Sequence, residues 1–212
     1  MAYVIAIVAA YLIGSVPFGF LVGKMRGVDV RTVGSKNIGA TNVFRTVGRN
    51  WGLLAFALDF LKGFIPTFLA LHYVRASDDA TLAFLPLATG VACVAGHMFT
   101  CFMKFKGGKG IATGFGMLVA LTPLLVLAAF VLFIVVVCVF HYISLGSICA
   151  AAFLLVAIWF PCAELSNPQG WHDLPQCIVF SIVAAFAIWK HRTNIVRLLS
   201  GTENRFVWSS KK

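Results

Sequence analysis

Residues 110–140 read GIATGFGMLVALTPLLVLAAFVLFIVVVCVF, thirty-one positions without a single charge, interrupted only at Thr122-Pro123. A helix needs about 20 apolar residues to cross hydrocarbon about 30 Å thick. The run is therefore either one kinked, tilted helix or a short helix followed by a longer one. Periodicity alone leaves both open, and the flanking charge decides between them.

Working outward, apolar runs predict further helices near 3–23, 51–74, 81–101, 147–163 and 175–189, beside the pair 111–121 and 123–142. Between Lys24 and Asn50 lie Lys24, Arg26, Arg31, Lys36, Arg45 and Arg49 against one acid, Asp29. By the positive-inside rule that loop is cytoplasmic and the N-terminus external. Alternation puts the loop with Asp78 and Asp79 outside and the stretch with Lys104, Lys106 and Lys109 inside. Two passes over 111–142 then make His141 to Gly146 internal and the loop with Glu164 and Asp173 external. The tail from Lys190, which carries Arg192, Arg197, Arg205, Lys211 and Lys212, becomes cytoplasmic. Seven passes place all of the 17 basic residues inside except Lys62 and Arg75. The expectation is a single all-α integral membrane domain over 1–212, seven transmembrane helices, N-terminus external and C-terminus cytoplasmic.

Composition agrees. The chain is 60% hydrophobic and 11% charged, with mean hydropathy +0.94, whereas soluble domains are about 45–50% apolar and about 25% charged. The first apolar segment lacks a basic leader and, from Ala2 to Val22, outruns the roughly 7–15 apolar residues of a signal peptide, so it is read as a retained span. The net charge of +10 would suggest nucleic acid in a soluble protein, but its confinement to membrane-side loops argues against that partner. Cys93, Cys101, Cys138, Cys149, Cys162 and Cys177 stand singly in apolar stretches and read as small buried hydrophobes, without the spacing of a disulfide framework or a zinc site. No metal, cofactor or obligatory protein partner is expected. No internal repeat or soluble domain is evident, so the chemistry belongs to short loops.

Three loops are candidates. The first, Gly34-Ser35-Lys36-Asn37-Ile38-Gly39-Ala40-Thr41-Asn42-Val43-Phe44-Arg45, combines small residues that admit a ligand to the backbone, neutral hydrogen-bonding groups and a guanidinium fork suited to phosphate or carboxylate. It also reads simply as a cytoplasmic turn carrying topological charge. The second, Phe105-Lys106-Gly107-Gly108-Lys109-Gly110, opens onto Ile111-Ala112-Thr113-Gly114. A glycine-rich loop feeding a helix N-terminus beside two lysines is a plausible phosphate cradle. It lacks Walker A spacing, and lipid head groups would also attract its lysines, though they would not require its glycines. In the third, His191-Arg192-Thr193-Asn194-Ile195-Val196-Arg197, helical spacing puts His191 and Asn194 on one face, while Arg192 and Arg197 read as snorkelling cations. Gly201-Thr202-Glu203 reads as a helix stop and polar tail. Within the spans, Asp59 and Lys62 at i, i+3 read as a mutually neutralising structural pair. His97 reads as a bundle hydrogen bond, and as an intramembrane ionisable group it also stays among the substrate-binding candidates. No H-E-x-x-H, G-x-S-x-G or His-x4-Asp motif supplies a conventional general base.

GSKNIGATNVFR at 34–45, GHMFTCFMKFKGGKGIATGFG at 96–116 and HRTNIVRLLSGTENRF at 191–206 together closely resemble the signatures of the bacterial acyl-phosphate:glycerol-3-phosphate acyltransferases, the PlsY family. SLGSI at 144–148 resembles a weaker fourth feature. The resemblance implies a seven-spanning enzyme of the bacterial inner membrane whose active site faces the cytoplasm. It would transfer a fatty acyl group from acyl phosphate to the sn-1 hydroxyl of glycerol 3-phosphate, giving lysophosphatidic acid and inorganic phosphate. Carried onto matching positions, it implies Ser35, Arg45, Lys109, His191 and Asn194 as the catalytic polar core. Substrate-binding positions would be Gly34, Asn37, Gly39, Thr41, Asn42, His97, Lys106, Gly107, Gly108, Gly110, Thr113 and Ser147. The chain departs from the pattern at Lys36 and Ile38, where the family usually reads glycine and proline, at Thr100 for proline and at Thr193 for glutamate.

An acyl phosphate is a mixed anhydride with a good leaving group, so the expected catalysis is positioning and charge stabilisation. The hydroxyl proton would pass to a substrate phosphate oxygen or to Ser35. The acyl chain would enter from the bilayer. A transporter for a phosphorylated small solute is the alternative from another class, but it would carry polar groups near the midplane, often on broken helices in repeated halves.

Overall fold

The computed structural model describes residues 2–77, 79–160 and 174–206, and everything assigned secondary structure among them is helical. Among the described residues ten α-helices run in order: α1 Ala2–Ser15, α2 Phe18–Met25, α3 Ala40–Thr46, α4 Arg49–Arg75, α5 Leu85–Met98, α6 Ile111–Leu121, α7 Pro123–Phe140, α8 Ile143–Ala157, α9 Leu174–Lys190 and α10 Arg192–Leu199. They form two compact units, residues 1–121 and 122–212. Glu164, Asp173, Cys162, Asp78 and the tail lysines Lys211 and Lys212 lie outside the described residues.

Among the described residues four segments are long and apolar enough to cross a membrane: Tyr3–Met25, Arg49–Arg75, Leu85–Met103 and Pro123–Phe140. Leu174–Lys190 with Arg192–Leu199 makes a fifth if the 52° bend between them lies within one span. Ile111–Leu121 and Ile143–Ala157 are shorter apolar helices. At 1.5 Å per residue the 11 residues of α6 extend about 16 Å, roughly half the hydrocarbon thickness. Thr122-Pro123 does separate two helices, α6 and α7.

In the first unit, small residues let helix backbones touch, as in membrane bundles. A β-carbon on Gly14 of α1 would collide with the Cys93 carbonyl of α5, and one on Gly96 of α5 with the Tyr11 carbonyl of α1. α4 and α6 meet in the same reciprocal way, Gly63 against Thr113 and Gly116 against Phe60. The first span breaks at Val16-Pro17, and two carbonyls there find side-chain donors. Thr100 Oγ1 donates to Ser15 O at 2.5 Å, and Lys62 Nζ to Val16 O at 2.7 Å. This re-satisfaction is what a broken helix in hydrocarbon requires.

The first basic loop is more ordered than its composition suggests. Asn37 Oδ1 accepts from the Gly39 N–H at 2.8 Å, and Gly39 then caps the seven-residue helix α3 in an extended conformation. Val30 and Val43, both fully buried, pack with Val22, Ile38 and Ala55 into a small core that anchors the loop to α2 and α4.

In the second unit, His141 at φ 61° reverses the chain after α7, and extended Tyr142 starts α8 at once. Ser144 to Ser147 therefore sit inside α8, where the sequence reading expected a loop before a span beginning at 147. Gly146 lies where a β-carbon would press on Val137 and Phe133 of α7. Leu124, Leu127, Val131, Val135 and Val139 of α7 are each at least half exposed, a face suited to lipid and not to water.

Candidate active site

In the first unit, Asn42 organises the loop that carries Ser35. It is 1% exposed. Its Oδ1 accepts from the Ser35 N–H at 2.9 Å, and its Nδ2 donates to Val30 O at 2.8 Å and Val33 O at 3.2 Å. All its side-chain polarity faces the protein's own backbone. Gly34 has φ +59°, and a β-carbon there would strike Asn42 Oδ1, so glycine is required twice over. Lys36 is also left-handed, at φ 56°, the position where the resembled family carries glycine. Ser35 and Asn37 are half-buried, and Thr41 and Arg45, on α3, are exposed. Upstream, Asp29 accepts a fork from Arg31, Nε to Oδ1 at 2.9 Å and Nη2 to Oδ2 at 2.6 Å. The Arg31 side chain and backbone hydrogen bonds hold the Asp29 carboxyl down to about 2. Arg31 also lies over Phe20 and Arg26 over Trp51, so both topological cations rest on aromatic faces.

The glycine-rich loop is built by an unusual reversal. Thr100 caps the short 3-10 turn Cys101–Met103, and Lys104 and Phe105 follow at φ 52° and 58°. The Gly107 N–H donates to Met98 O at 3.2 Å and the Gly108 N–H to His97 O at 3.0 Å. Both amides are thus used to pin the loop to the end of α5. Side chains at these glycines would strike His97 and Met98. Gly110, at φ +83°, precedes α6, whose first turn closes with Gly114 N–H to Gly110 O at 2.7 Å. Among the described residues, no backbone carbonyl accepts from the amides of Gly110, Ile111, Ala112 or Thr113. These are the four donors that a helix start leaves open, and they carry the positive end of its dipole. Lys106 is exposed and Lys109 half-buried beside them. Thr113 itself is fully buried with its hydroxyl unpaired.

His97, 5% exposed, sits under this loop. Its Nδ1 is 3.5 Å from Asp59 Oδ1, and Lys62 Nζ is 2.7 Å from the same oxygen. Asp59 and Lys62 are both buried, the neutralised pair their spacing predicts.

In the second unit, His191 and Asn194 stand at the bend between α9 and α10, 3% and 4% exposed. His191 Nδ1 is 2.8 Å from Ala187 O. A carbonyl can only accept, so Nδ1 carries the proton there. The Asn194 N–H donates to His191 O at 2.8 Å, which ties the two backbones together at the bend. Asn194 Nδ2 donates to Glu203 Oε1 at 2.8 Å, Ser144 Oγ to the same oxygen at 3.0 Å, and Arg197 Nε to Glu203 Oε2 at 2.7 Å. Burial alone would raise the Glu203 carboxyl, but the three donors outweigh it and hold it below its ordinary value.

Two expectations are corrected here. Glu203 is the acceptor that locates Asn194, not part of a polar tail. Arg197 is paired with it and does not snorkel. The available signal was that Glu203 is the only acid after Lys190. Ser147 is buried with its hydroxyl on Ile143 O of its own helix at 3.0 Å, whereas Ser144, which sequence reasoning passed over, joins the Glu203 cluster. Arg192 lies over Trp189 at 4.4 Å. Ser35, Arg45 and Lys109 thus belong to the first unit, and His191 and Asn194 to the second. Among the described residues no three His, Cys, Asp or Glu side chains gather as a metal site would need.

A family profile described as glycerol-3-phosphate acyltransferase matches residues 4–201. The chain belongs to the glycerol-3-phosphate acyltransferase family. Relatives of that name include one from Trichlorobacter lovleyi, 46% identical over 201 residues with 94% of this chain and 95% of the relative covered. Another, from Aquifex aeolicus, is 42% identical over 204 residues, covering 94% and 97%. Among solved structures, the crystal structure of PlsY, an integral membrane glycerol 3-phosphate acyltransferase, is similar in two forms. The glycerol 3-phosphate form gives a TM-score of 0.85 at 37% identity, with 98% of this chain and 96% of that chain covered. The lysophosphatidic acid form gives 0.78 at the same identity and coverage. The exposed apolar helix faces are therefore those of a membrane-embedded acyltransferase of the PlsY family.

Proposed function

We propose that this acyltransferase uses acyl phosphate as donor and the sn-1 hydroxyl of glycerol 3-phosphate as acceptor, releasing lysophosphatidic acid and inorganic phosphate. The reading includes a single seven-span domain over 1–212 in a bacterial inner membrane, with external N-terminus and cytoplasmic C-terminus and active site. The observation that carries the donor assignment is the start of α6. Four amides without a backbone acceptor among the described residues stand beside Lys106 and Lys109, where a phosphate is bound by oriented N–H groups and fixed charge together.

The hydroxyl oxygen attacks the acyl carbonyl carbon, the bond from that carbon to the phosphate oxygen breaks, and phosphate departs with the electron pair. Lys109 and the amides of Gly110 to Thr113 stabilise the leaving phosphate and the carbonyl oxyanion, with Lys106, Gly107 and Gly108 shaping the cradle. Arg45, His191 and Asn194 hold glycerol 3-phosphate, and Gly34, Asn37, Gly39, Thr41, Asn42 and Ser147 support or line the pocket. Ser35 Oγ has no hydrogen-bonded base among the described residues, and a phosphate monoester has a second pKa of about 6. A phosphate oxygen is therefore the final proton acceptor, with Ser35 as relay.

Purified protein in detergent, given acyl phosphate and glycerol 3-phosphate, should release inorganic phosphate stoichiometrically with lysophosphatidic acid. Turnover with acyl-CoA but not acyl phosphate refutes the donor assignment. Binding of either phosphate compound without turnover of any donor favours a transporter. Lys109→Ala should abolish turnover while the folded protein remains in the membrane, and Lys211→Ala should leave both turnover and the folded protein intact. Equal behaviour of the two refutes the phosphate cradle.

A further inference from the structure

A buried ion pair in hydrocarbon is costly to maintain and is often replaceable by apolar residues of similar volume. Capping the Val16 carbonyl explains Lys62 but not Asp59, since a neutral donor would serve. Asp59 has a second neighbour. Its Oδ1 lies 2.7 Å from Lys62 Nζ and 3.5 Å from His97 Nδ1, so one carboxylate oxygen faces both side chains.

His97 in turn meets the glycine loop twice. Its carbonyl accepts from the Gly108 N–H at 3.0 Å, and its ring lies so close under Gly108 that a β-carbon there would strike Nε2. The ring edge thus sets the height of Gly108, two residues before the first open amide of α6. We propose that Asp59, acting through His97, is a positioning residue for the phosphate-binding amides, with Lys62 neutralising it while capping the broken first helix. This rests on the reading of residues 107–113 as a phosphate site, and it assigns His97 to the support of that site and not to contact with substrate.

The test uses the full chain in detergent, with KM for each substrate, Ki for inorganic phosphate as the probe, and thermal midpoint. His97→Asn keeps a donor toward Asp59 but withdraws the ring edge from Gly108. It should raise Ki for phosphate, and KM for whichever substrate seats its phosphate there, by about tenfold to a hundredfold, the scale expected for a displacement near 1 Å. Which KM moves separates the acyl phosphate from glycerol 3-phosphate. The paired change Asp59→Asn with Lys62→Met, which leaves no buried charge, should produce a similar rise. Combined with His97→Asn it should add little, because the two act in one chain of contacts.

If His97→Asn keeps wild-type KM and Ki values while Gly108→Ala raises them, the positioning role is refuted and the phosphate cradle stands. If Gly108→Ala also leaves them unchanged, the cradle reading itself is refuted. A rise in His97→Asn with none in the Asp59–Lys62 pair would mean that His97 touches phosphate directly, which also overturns the proposal. Should His97→Asn not fold, His97→Gln decides on the same criteria.

Discussion

Removing the Glu203 carboxylate should uncouple Asn194 from its helix bend, and two substitutions separate the consequences. Three donors converge on the carboxylate, from Ser144, Asn194 and Arg197, at 3.0, 2.8 and 2.7 Å. Glu203→Gln keeps the shape and one acceptor oxygen. Whichever way its amide turns, a donor on either Arg197 or Asn194 then faces an N–H₂ group. A hydrogen bond to a charged group contributes about 1.5–3 kcal/mol. The Arg197 side chain is 32% exposed, so water can take over its lost bond, and the net cost for Gln falls near 1–2 kcal/mol on that scale. Glu203→Ala removes all three bonds and the negative charge, and the cost of breaking a largely buried pair rises toward about 3–5 kcal/mol.

Those energies forecast a graded result in detergent. At roughly 2–4 °C per kcal/mol for a chain of this size, the Gln variant should melt a few degrees lower and the Ala variant roughly 10 °C lower. Phosphate release should survive in Gln at a reduced rate and fall about a hundredfold in Ala, where nothing at position 203 locates the Asn194 amide. Wild-type turnover in Glu203→Ala would refute the argument outright. Equal loss in both variants would show that charge at position 203, and not placement of Asn194, is what the reaction needs.

The same carboxyl gives a pH dependence. Its value is depressed by folding, so its contribution is complete above the ordinary glutamate range and disappears as pH falls through the depressed value. The wild-type advantage in melting temperature over Glu203→Gln should therefore be flat at neutral pH and vanish only in strong acid. Lys36→Gly should raise stability. The left-handed penalty of about 1–2 kcal/mol is partly offset by the roughly 0.5–1 kcal/mol entropic cost of glycine, so a gain near 0.5–1 kcal/mol is expected without loss of turnover, and a lower melting temperature refutes it. Asn42→Asp keeps the acceptor for Ser35 but aims carboxylate oxygen at the Val30 and Val33 carbonyls. Turnover should fall at least tenfold, and a wild-type rate would show that the loop tolerates a different Ser35 position.

What the chain declares in advance is whatever repeats along it or stands beside its neighbour. The apolar runs announced the long helices, Thr122-Pro123 the break after α6, and the spacing of Asp59 and Lys62 their pairing. The glycine loop and the shared burial of His191 and Asn194 were also legible, because each is set within one helical turn or one tight reversal. The parts missed depend on the chain returning to itself. Ser144 meets Glu203 across 59 positions, which no local period encodes. Asn42 reads as one more polar residue in a polar loop until its two bonds to earlier carbonyls are seen. Helix α3 was hidden for a related reason: its existence rests on Asn37, Gly39 and a small core shared with α2 and α4, not on a repeating apolar face.

The division of labour in the glycine loop bears on how such a site would ignore its surroundings. A membrane surface is crowded with phosphodiester head groups, and a lysine attracts all of them. Open amides at a helix start discriminate by reach instead, since N–H···O contacts need an oxygen within about 3 Å and only a slim, unhindered phosphate can present several oxygens at once. On the proposed reading, Gly107 and Gly108 would serve that selectivity indirectly. By binding their own amides to Met98 and His97 they pin the loop to the end of α5, so the open donors of Gly110 to Thr113 would meet a phosphate with less of the chain left to order. Under the proposed reaction, the terminal phosphates of both substrates, one an ester and one a mixed anhydride, pass this test where phosphodiester lipids do not, and an acyltransferase can work among its own products' descendants without being filled by them.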